Sequence, residues 1–368
     1  MNIPILRPTV AEINLTKLAR NLQKVRSSVR VGVKLLTLVK ANAYGHGAVE
    51  ISRYLEKNQL CEFFGVASVE EGLQLRAAGI QNSILVLGSI YPFEAFEYAI
   101  KNNLAITIAS QAAADAVCKI ADKLGQKALC HVKQDTGMGR IGTRRGKVVS
   151  VLETLARHPQ IILDGLYTHL SSVESDPAFT EEQIGYYRDT LTHLELKGIH
   201  VNHRHVAAST AIHARPDVHY DMVRPGHSAY GLEKGYEPIL SLKTRIVYVK
   251  DVPAGGSISY GRSFIADKPM KVATLPLGYG DGYLRALSNK GEVLVRGQRC
   301  RVLGNVTMDM LMIDISHVPG AAVGDEVVVV GRQDGAEITL AELAQKAGTI
   351  DYELCTLLMP RVPRIYKE

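Results

Sequence analysis

Short apolar runs alternate with amphipathic stretches through the first two-thirds of the chain. Strand-like runs fall at 35–39, 63–67, 84–87, 105–108, 129–133, 163–168, 201–206 and 221–224. Between them lie stretches of helical periodicity, among them 69–78, 112–124 and 180–196. In the first of these Glu70, Glu71, Gln74 and Arg76 interleave with Val69, Leu73, Leu75 and Ala77 at near-helical spacing. Eight strands, most followed by a helix, is the count of a (β/α)₈ TIM-type barrel of the α/β class. A doubly wound open sheet has the same alternation, because a strand count does not show closure.

From about Gly235 the pattern changes to short strands punctuated by Gly, Pro and Asp-Gly turns. The runs 240–249, 272–275, 293–295, 310–315 and 326–330, with one helix at 339–347, predict a mostly-β C-terminal domain. The expected division is a barrel over residues 9–236, and a β-rich domain over 237–368 that includes residues 1–8.

Composition narrows the function classes. Apolar residues make up 46% and charged residues 22%, an ordinary globular balance. A net charge of +6 is weak over 368 residues. The densest basic run, Arg144-Arg145-Gly146-Lys147, reads as a solvated loop, so no nucleic-acid partner is expected. No run of 18 apolar residues suggests a membrane span. The N-terminus lacks the charged start and apolar stretch of a signal peptide. Five cysteines without a CxxC pair fit a reducing cytoplasm, with neither a disulfide framework nor a structural zinc site.

Candidate chemistry lies at the C-terminal ends of the strands, which face the active site in a barrel. The first strand ends in Lys40-Ala41-Asn42-Ala43-Tyr44-Gly45-His46-Gly47, and the fifth in Lys133-Gln134-Asp135. The sixth ends with His169, the seventh with Ser209-Thr210 and the eighth with Arg224-Pro225-Gly226. A lysine after an apolar run is open to burial, which lowers its pKa and suits it as a base or a Schiff-base nucleophile. It can equally snorkel from the strand end. Ser209 and Gly226 occupy the usual phosphate site of this fold. A lysine and a phosphate cradle together suggest pyridoxal 5′-phosphate (PLP).

Three other patterns compete. Gly137 to Gly142 matches GxGxxG, with Asp164 about twenty residues on, but Asp164 sits too early in its strand for a ribose-binding acid. His203 and His205 share a strand face, yet lack further ligands; stacking or hydrogen-bonded rings are the simpler reading, and no metal is expected. His169 has no Ser-His-Asp partners around it.

The run Val39 to Gly47 resembles the cofactor signature of alanine racemases, PLP enzymes with a barrel and a C-terminal β domain. The segments Lys133 to Gly142, Tyr167-Thr168-His169, Arg224-Pro225-Gly226, Ser259-Tyr260-Gly261-Arg262, Gly278 to Gly282, Met308-Asp309 and Arg361 to Arg364 agree in order and approximate spacing. The resemblance implies that Lys40 carries PLP and is one base, and that Tyr260 is the base on the opposite face of the substrate α-carbon. It implies that Arg140 and the Met308 backbone hold the substrate carboxylate, and that a carbamylated Lys133 fixes Arg140. Arg224 would face the pyridine nitrogen and His169 the ring, with Tyr44, Ser209, Gly226 and Tyr352 by the phosphate. It implies a homodimer with shared active sites, supplying D-alanine for peptidoglycan.

Departures from the family pattern are Ala208 for Asn, His227-Ser228 for apolar residues, Asn305 for Arg, and Thr307 for Cys or Ser. They bear on selectivity for alanine against serine or a broader set of amino acids. The rival of a different class is a non-enzymatic PLP carrier, which resembles the barrel alone. A decarboxylase of the same barrel class is disfavoured by Tyr260 and Arg224.

Overall fold

The computed structural model describes residues 6–144 and 146–368. Part of the expected contribution of residues 1–8, and Arg145 of the basic run, therefore lie outside the described residues. The chain divides into two compact units.

One unit comprises Leu18–Ala43 and Ala48–Tyr236. Its parallel strands are β1 (Lys34–Leu38), β2 (Phe63–Val66), β3 (Ser83–Val86), β4 (Leu104–Ile108), β5 (Ala128–Asp135), β6 (Ile161–Tyr167), β7 (His203–His205) and β8 (Met222–Val223). The sheet runs in the order β8-β1-β2-β3-β4-β5-β6-β7. A parallel bridge between Ala208 and Arg224 joins the two ends, and the Arg224 N–H donates to the Ala207 carbonyl at 2.9 Å. All eight expected strands form, and the sheet is a nearly closed barrel rather than an open, doubly wound layer.

Caps explain where the intervening helices start. Ser68 accepts from the Glu71 N–H ahead of Val69–Ala77, and Ser110 from the Ala113 N–H ahead of Gln111–Leu124. Asp176 accepts from the Phe179 N–H, with Pro177 opening Pro177–Leu196. The barrel interior is filled by Leu36, Phe63, Leu85, Ala105 and Met222, with Leu38, Leu87 and Leu129 against them. Gly65 leaves room for this layer: a Cβ there would lie 2.5 Å from Leu36 Cδ2 and 2.7 Å from Leu38 Cδ2.

The other unit holds the described residues up to Lys17, with Tyr44–Gly47 and Glu237–Glu368. Here the division differs from the sequence expectation, which gave residues 9–17 to the barrel. The strand Val10–Asn14 pairs antiparallel with Leu240–Arg245 and parallel with Arg364–Lys367, so it is an inner strand of the β sheet. Tyr44–Gly47 is tied in by the Arg364 guanidinium donating to the Gly45 carbonyl (3.0 Å) and the Tyr366 hydroxyl to the His46 carbonyl (3.1 Å).

The expected run 240–249 is two strands, Leu240–Arg245 and Tyr248–Val252. The chain parts there because the Ile246 N–H donates to Asp325 and the Val247 N–H to Thr274. Gln298–Leu303 is a strand the apolar pattern did not reveal. A two-residue turn joins it to Glu292–Val295, with φ of 50° at Arg296 and 71° at Gly297.

Gly65→Val should overpack the barrel layer and cost about 1–3 kcal/mol. The check is the urea midpoint of unfolding, and an unchanged midpoint would show that Leu36 and Leu38 can give way.

Candidate active site

Lys40 lies just beyond β1, where the backbone turns left-handed. Ala41, Asn42 and Ala43 have φ of 50°, 54° and 53°, and Tyr44 follows at 52°. Left-handed residues other than glycine cost about 1–2 kcal/mol each, so this turn must be held by its surroundings. One oxygen of the Glu71 carboxylate accepts from the Ala41 N–H and the other from the Ala67 N–H, both at 2.7 Å. The Asn42 side chain accepts from the Ala48 N–H at 2.9 Å, and the Ala43 N–H donates to the Val39 carbonyl at 2.8 Å. Burial lowers the pKa of the Lys40 amine; Arg140 and Arg224 push the same way and Glu71 opposes them.

Further cations share this electrostatic neighbourhood. Lys133, near the end of β5, is only 4% exposed. Burial first, then Arg140, Arg224 and Lys40, pull its pKa down to about 8, against Asp135. Arg224 is buried and donates to the carbonyls of His205 (3.0 Å), Thr168 (2.8 Å) and Val206 (2.8 Å) and to His205 Nδ1 (3.1 Å). Its guanidinium lies 5.5 Å from the centre of the Tyr167 ring, and burial lowers its pKa to about 10, leaving it charged at neutral pH. His169 is pulled down to about 3 by burial and by Arg224, Lys133, Arg140 and Lys40, so it is a neutral imidazole. This concentration of positive charge suits an anionic ligand.

Ser209 follows β7 and Gly226 follows β8. The Ser209 hydroxyl accepts from the Gly226 N–H (3.0 Å), the Ser228 N–H (3.4 Å) and the Ser228 hydroxyl (3.2 Å). The glycine-rich loop is built differently. The N–H groups of Gly137 and Gly139 donate to the Asp135 carboxylate at 3.1 and 3.0 Å, so they serve a turn rather than a phosphate cradle. The His203 ring packs edge-on to Phe63, and His205 stacks on Tyr167 at 4.6 Å. Among the described residues no group of three or more His, Cys, Asp or Glu could hold a metal ion.

The remaining candidates belong to the β unit. Tyr260 is 74% exposed on a loop with positive φ at Ser259, Gly261 and Arg262. That loop is pinned by the Asn305 side chain donating to the Tyr260 carbonyl at 2.9 Å and the Ser259 hydroxyl to the Asn305 carbonyl at 2.6 Å. Met308 is exposed, and its carbonyl accepts from the Gly280 N–H at 2.8 Å. Tyr44 is buried, and burial first, then its neighbour Tyr352, raise its pKa.

The structure thus groups Lys40, Lys133, Arg140, His169 and Arg224 electrostatically, and sets Ser209 and Gly226 at adjacent strand ends. Sequence reasoning missed Glu71, whose signal was an acid in the first turn of the helix after β2. It also missed Ser228 as a partner of Ser209.

Comparison with known proteins agrees with this layout. The alanine racemase N-terminal domain model matches residues 13–234, and the C-terminal domain model residues 239–366. The chain belongs to the alanine racemase family. It is an isomerase, and its function is that of an alanine racemase. Alanine racemase 2 of Caldanaerobacter subterraneus subsp. tengcongensis is 41% identical over 98% of this chain and 95% of its own. The alanine racemase of Halothermothrix orenii is 40% identical over 100% and 99%. Among solved structures, alanine racemase of Clostridium difficile 630 superposes with a TM-score of 0.94 at 36% identity, over 99% of this chain and 97% of that one. That of Bacillus anthracis with bound L-Ala-P gives 0.92 at 33%, over 100% and 96%.

The Lys133 pKa has a stability consequence. The folded state holds this amine at about 8 against an ordinary 10.5 when unfolded, so the unfolded chain binds more protons between those values. The penalty on the folded state is full below pH 8 and is relieved as pH rises toward 10.5. In carbon-dioxide-free buffer, Lys133→Met should therefore be stabilised relative to the parent most strongly below about pH 8, with the difference shrinking at higher pH. Denaturant titrations across that range check it, and a constant difference would contradict it.

Proposed function

We propose that racemisation runs on PLP carried by Lys40, with Lys40 and Tyr260 as the two bases that remove and return the α-proton. The donor set fits this cofactor: a partly buried amine of lowered pKa after β1, a Ser209 hydroxyl after β7 that is held by the Gly226 turn after β8 and keeps its own proton to donate, and a buried guanidinium for the ring nitrogen. Tyr44 and Tyr352 would help hold its phosphate, and His169 would pack beside its ring. When bound, PLP supplies the electron sink that acidifies the substrate α-proton.

The protein's own groups do the rest. Burial first, with Arg140 and Arg224 acting the same way, lowers the pKa of the Lys40 amine, which suits it to act as a base. Racemisation returns a proton from the opposite side, which calls for a second base, Tyr260. Arg224 keeps its proton at working pH, so it would donate to the ring nitrogen rather than charge it, which would disfavour transamination. Arg140 and the Met308 backbone hold the substrate carboxylate.

Lys133 is carbamylated. Its neutral nitrogen attacks carbon dioxide and releases a proton, and the resulting anion replaces a cation repelled by Arg140. A pKa near 8 is what supports this, because it leaves a substantial neutral fraction at working pH.

We further propose a homodimer in which the partner subunit's Tyr260 completes each site. The observation that carries this reading is an exposed tyrosine on a tightly pinned loop. D-Alanine made in the cytoplasm would feed peptidoglycan; five unpaired, buried cysteines support a reducing compartment. Among the described residues no helix is long and apolar enough to cross a membrane. Alanine is favoured over serine as substrate, since the unusual Ser228 hydroxyl is engaged by Ser209. A PLP carrier without activity is disfavoured by the matched C-terminal domain.

Borohydride reduction of the PLP-loaded protein should fix the label on the peptide containing Lys40. Label elsewhere would sink the assignment, and optical rotation with alanine and serine ranks the substrates.

Mixing Lys40→Ala with Tyr260→Phe tests the shared site. Random pairing makes about half the dimers mixed, each with one intact site, so about a quarter of parental activity should return. No recovery despite demonstrated heterodimers would reject the sharing.

A further inference from the structure

Asp164, His131 and His205 have no part in the chemistry above, yet they form an unbroken line of hydrogen bonds ending on Arg224. Asp164 Oδ2 lies 3.0 Å from His131 Nε2, His131 Nδ1 lies 3.0 Å from His205 Nε2, and His205 Nδ1 lies 3.1 Å from an Arg224 nitrogen. Both imidazoles are fully buried.

The direction of every bond follows from one end. A guanidinium only donates, so His205 Nδ1 must accept. The His205 proton then sits on Nε2 and is donated to His131 Nδ1. The His131 proton sits on its Nε2 and is donated to the carboxylate. A second proton on His131 would place a donor against the His205 Nε2–H, and moving that proton to Nδ1 would oppose the guanidinium. The line admits one arrangement, with both rings neutral.

Two features of the backbone build it. The β5–β6 register shifts between Cys130, which pairs with Leu163, and His131, which pairs with Gly165. Asp164 is thus the extra residue of a bulge, a device that re-aims a side chain. Gly165 makes the space: a Cβ there would lie 2.2 Å from His131 Nδ1. The far end is braced by the Asn202 amide, which donates to Asp164 Oδ1 at 2.9 Å, and by His203, whose Nε2 lies 3.8 Å from the same oxygen. Burial opposes ionisation of Asp164, but the hydrogen bonds from His131 and Asn202 outweigh it and hold its pKa below the usual carboxylate range. Arg224 itself makes no ion pair among the described residues; its protein partners are carbonyls and histidine rings.

We propose that Asp164 is a positioning residue for racemisation, the relayed counter-charge of Arg224, which it orients through His131 and His205. The proposal rests on the reading of Arg224 as the group facing the cofactor ring nitrogen. Two oriented imidazoles carry the influence of the carboxylate to a guanidinium it does not touch, and fix which of its protons point at the strand ends.

The test uses the PLP-loaded protein labelled with ¹⁵N-histidine. His131 and His205, assigned by the resonances lost in His131→Asn and His205→Asn, should each carry a single proton, on Nε2, at the pH of the assay. A ring protonated on Nδ1, or on both nitrogens, overturns the relay.

Asp164→Asn then removes the charge while keeping size and an acceptor. At matched PLP content it should lower kcat about tenfold, the scale of one charge-assisted hydrogen bond, with KM changed less than about twofold. Parental kcat with only a lower thermal midpoint would reduce Asp164 to a structural role and overturn the proposal. A parental protein that binds no PLP, or does not racemise, would instead refute the function proposed above, because the histidine spectrum is read without catalysis.

Discussion

A guanidinium buried without a carboxylate in contact sets the terms for the barrel unit. Arg224 stands at the end of β8, and its backbone makes the bridge to Ala208 that joins the last strand to the seventh. Its side chain takes up carbonyls at and after the ends of β6 and β7. The Thr168 and Val206 carbonyls lie just past the ends of their strands, and the His205 carbonyl also accepts from the Thr168 N–H, so the cation is housed where the barrel closes. An unpaired buried charge is costly, and here several neutral acceptors share the cost. Burial first, and the Arg224 charge after it, lower the pKa of His169, Lys133 and Lys40, so the cation adds to an effect that the enclosed strand ends already impose.

Backbone strain is spent at the other end of this arrangement. Four consecutive non-glycine residues in the left-handed region follow Lys40. Such a run persists only where the surroundings over-determine it. Glu71 does much of this by accepting one N–H from the turn and one from the end of β2, which locks two strand ends to one carboxylate. Glu71 also opposes the lowering of the Lys40 pKa, so the residue that holds the turn tempers the amine as well.

How much of this could be read from the sequence depended on whether the cause was local. The eight barrel strands were legible because each is a compact apolar run between polar punctuation. Lys40, Arg224 and Tyr260 stood out as candidates through their motifs. Gln298–Leu303 was hidden because it carries two arginines on an exposed face, and its turn uses Arg-Gly in place of the more familiar Asn-Gly. Val10–Asn14 was assigned to the wrong unit because its partners lie more than 220 residues away. Asp164 was noticed only as a poor ribose-binding acid. Its orientation depends on a shift in register against β5, and strand register is a tertiary property that no local pattern encodes.

Asn305 shows how a departure from a family pattern acquires a physical meaning. By resemblance an arginine is common there, and its loss suggests a weakened site. The carboxamide instead donates to the Tyr260 carbonyl, while the Asn305 backbone N–H donates to the Ser263 hydroxyl and its carbonyl accepts from Ser259. Three separate bonds from one residue brace a loop whose φ angles at Ser259 and Arg262 are unfavourable for side-chain-bearing residues. An aromatic ring left in solvent at the tip of such a loop gains nothing from burial in its own chain. The strain and the bonding together hold the exposed ring in one orientation, which is what the role proposed for Tyr260 would need. An arginine could reach further, but a short amide fixes the main chain more directly. The substitution therefore gives up a charge and leaves a side chain that braces the Tyr260 loop.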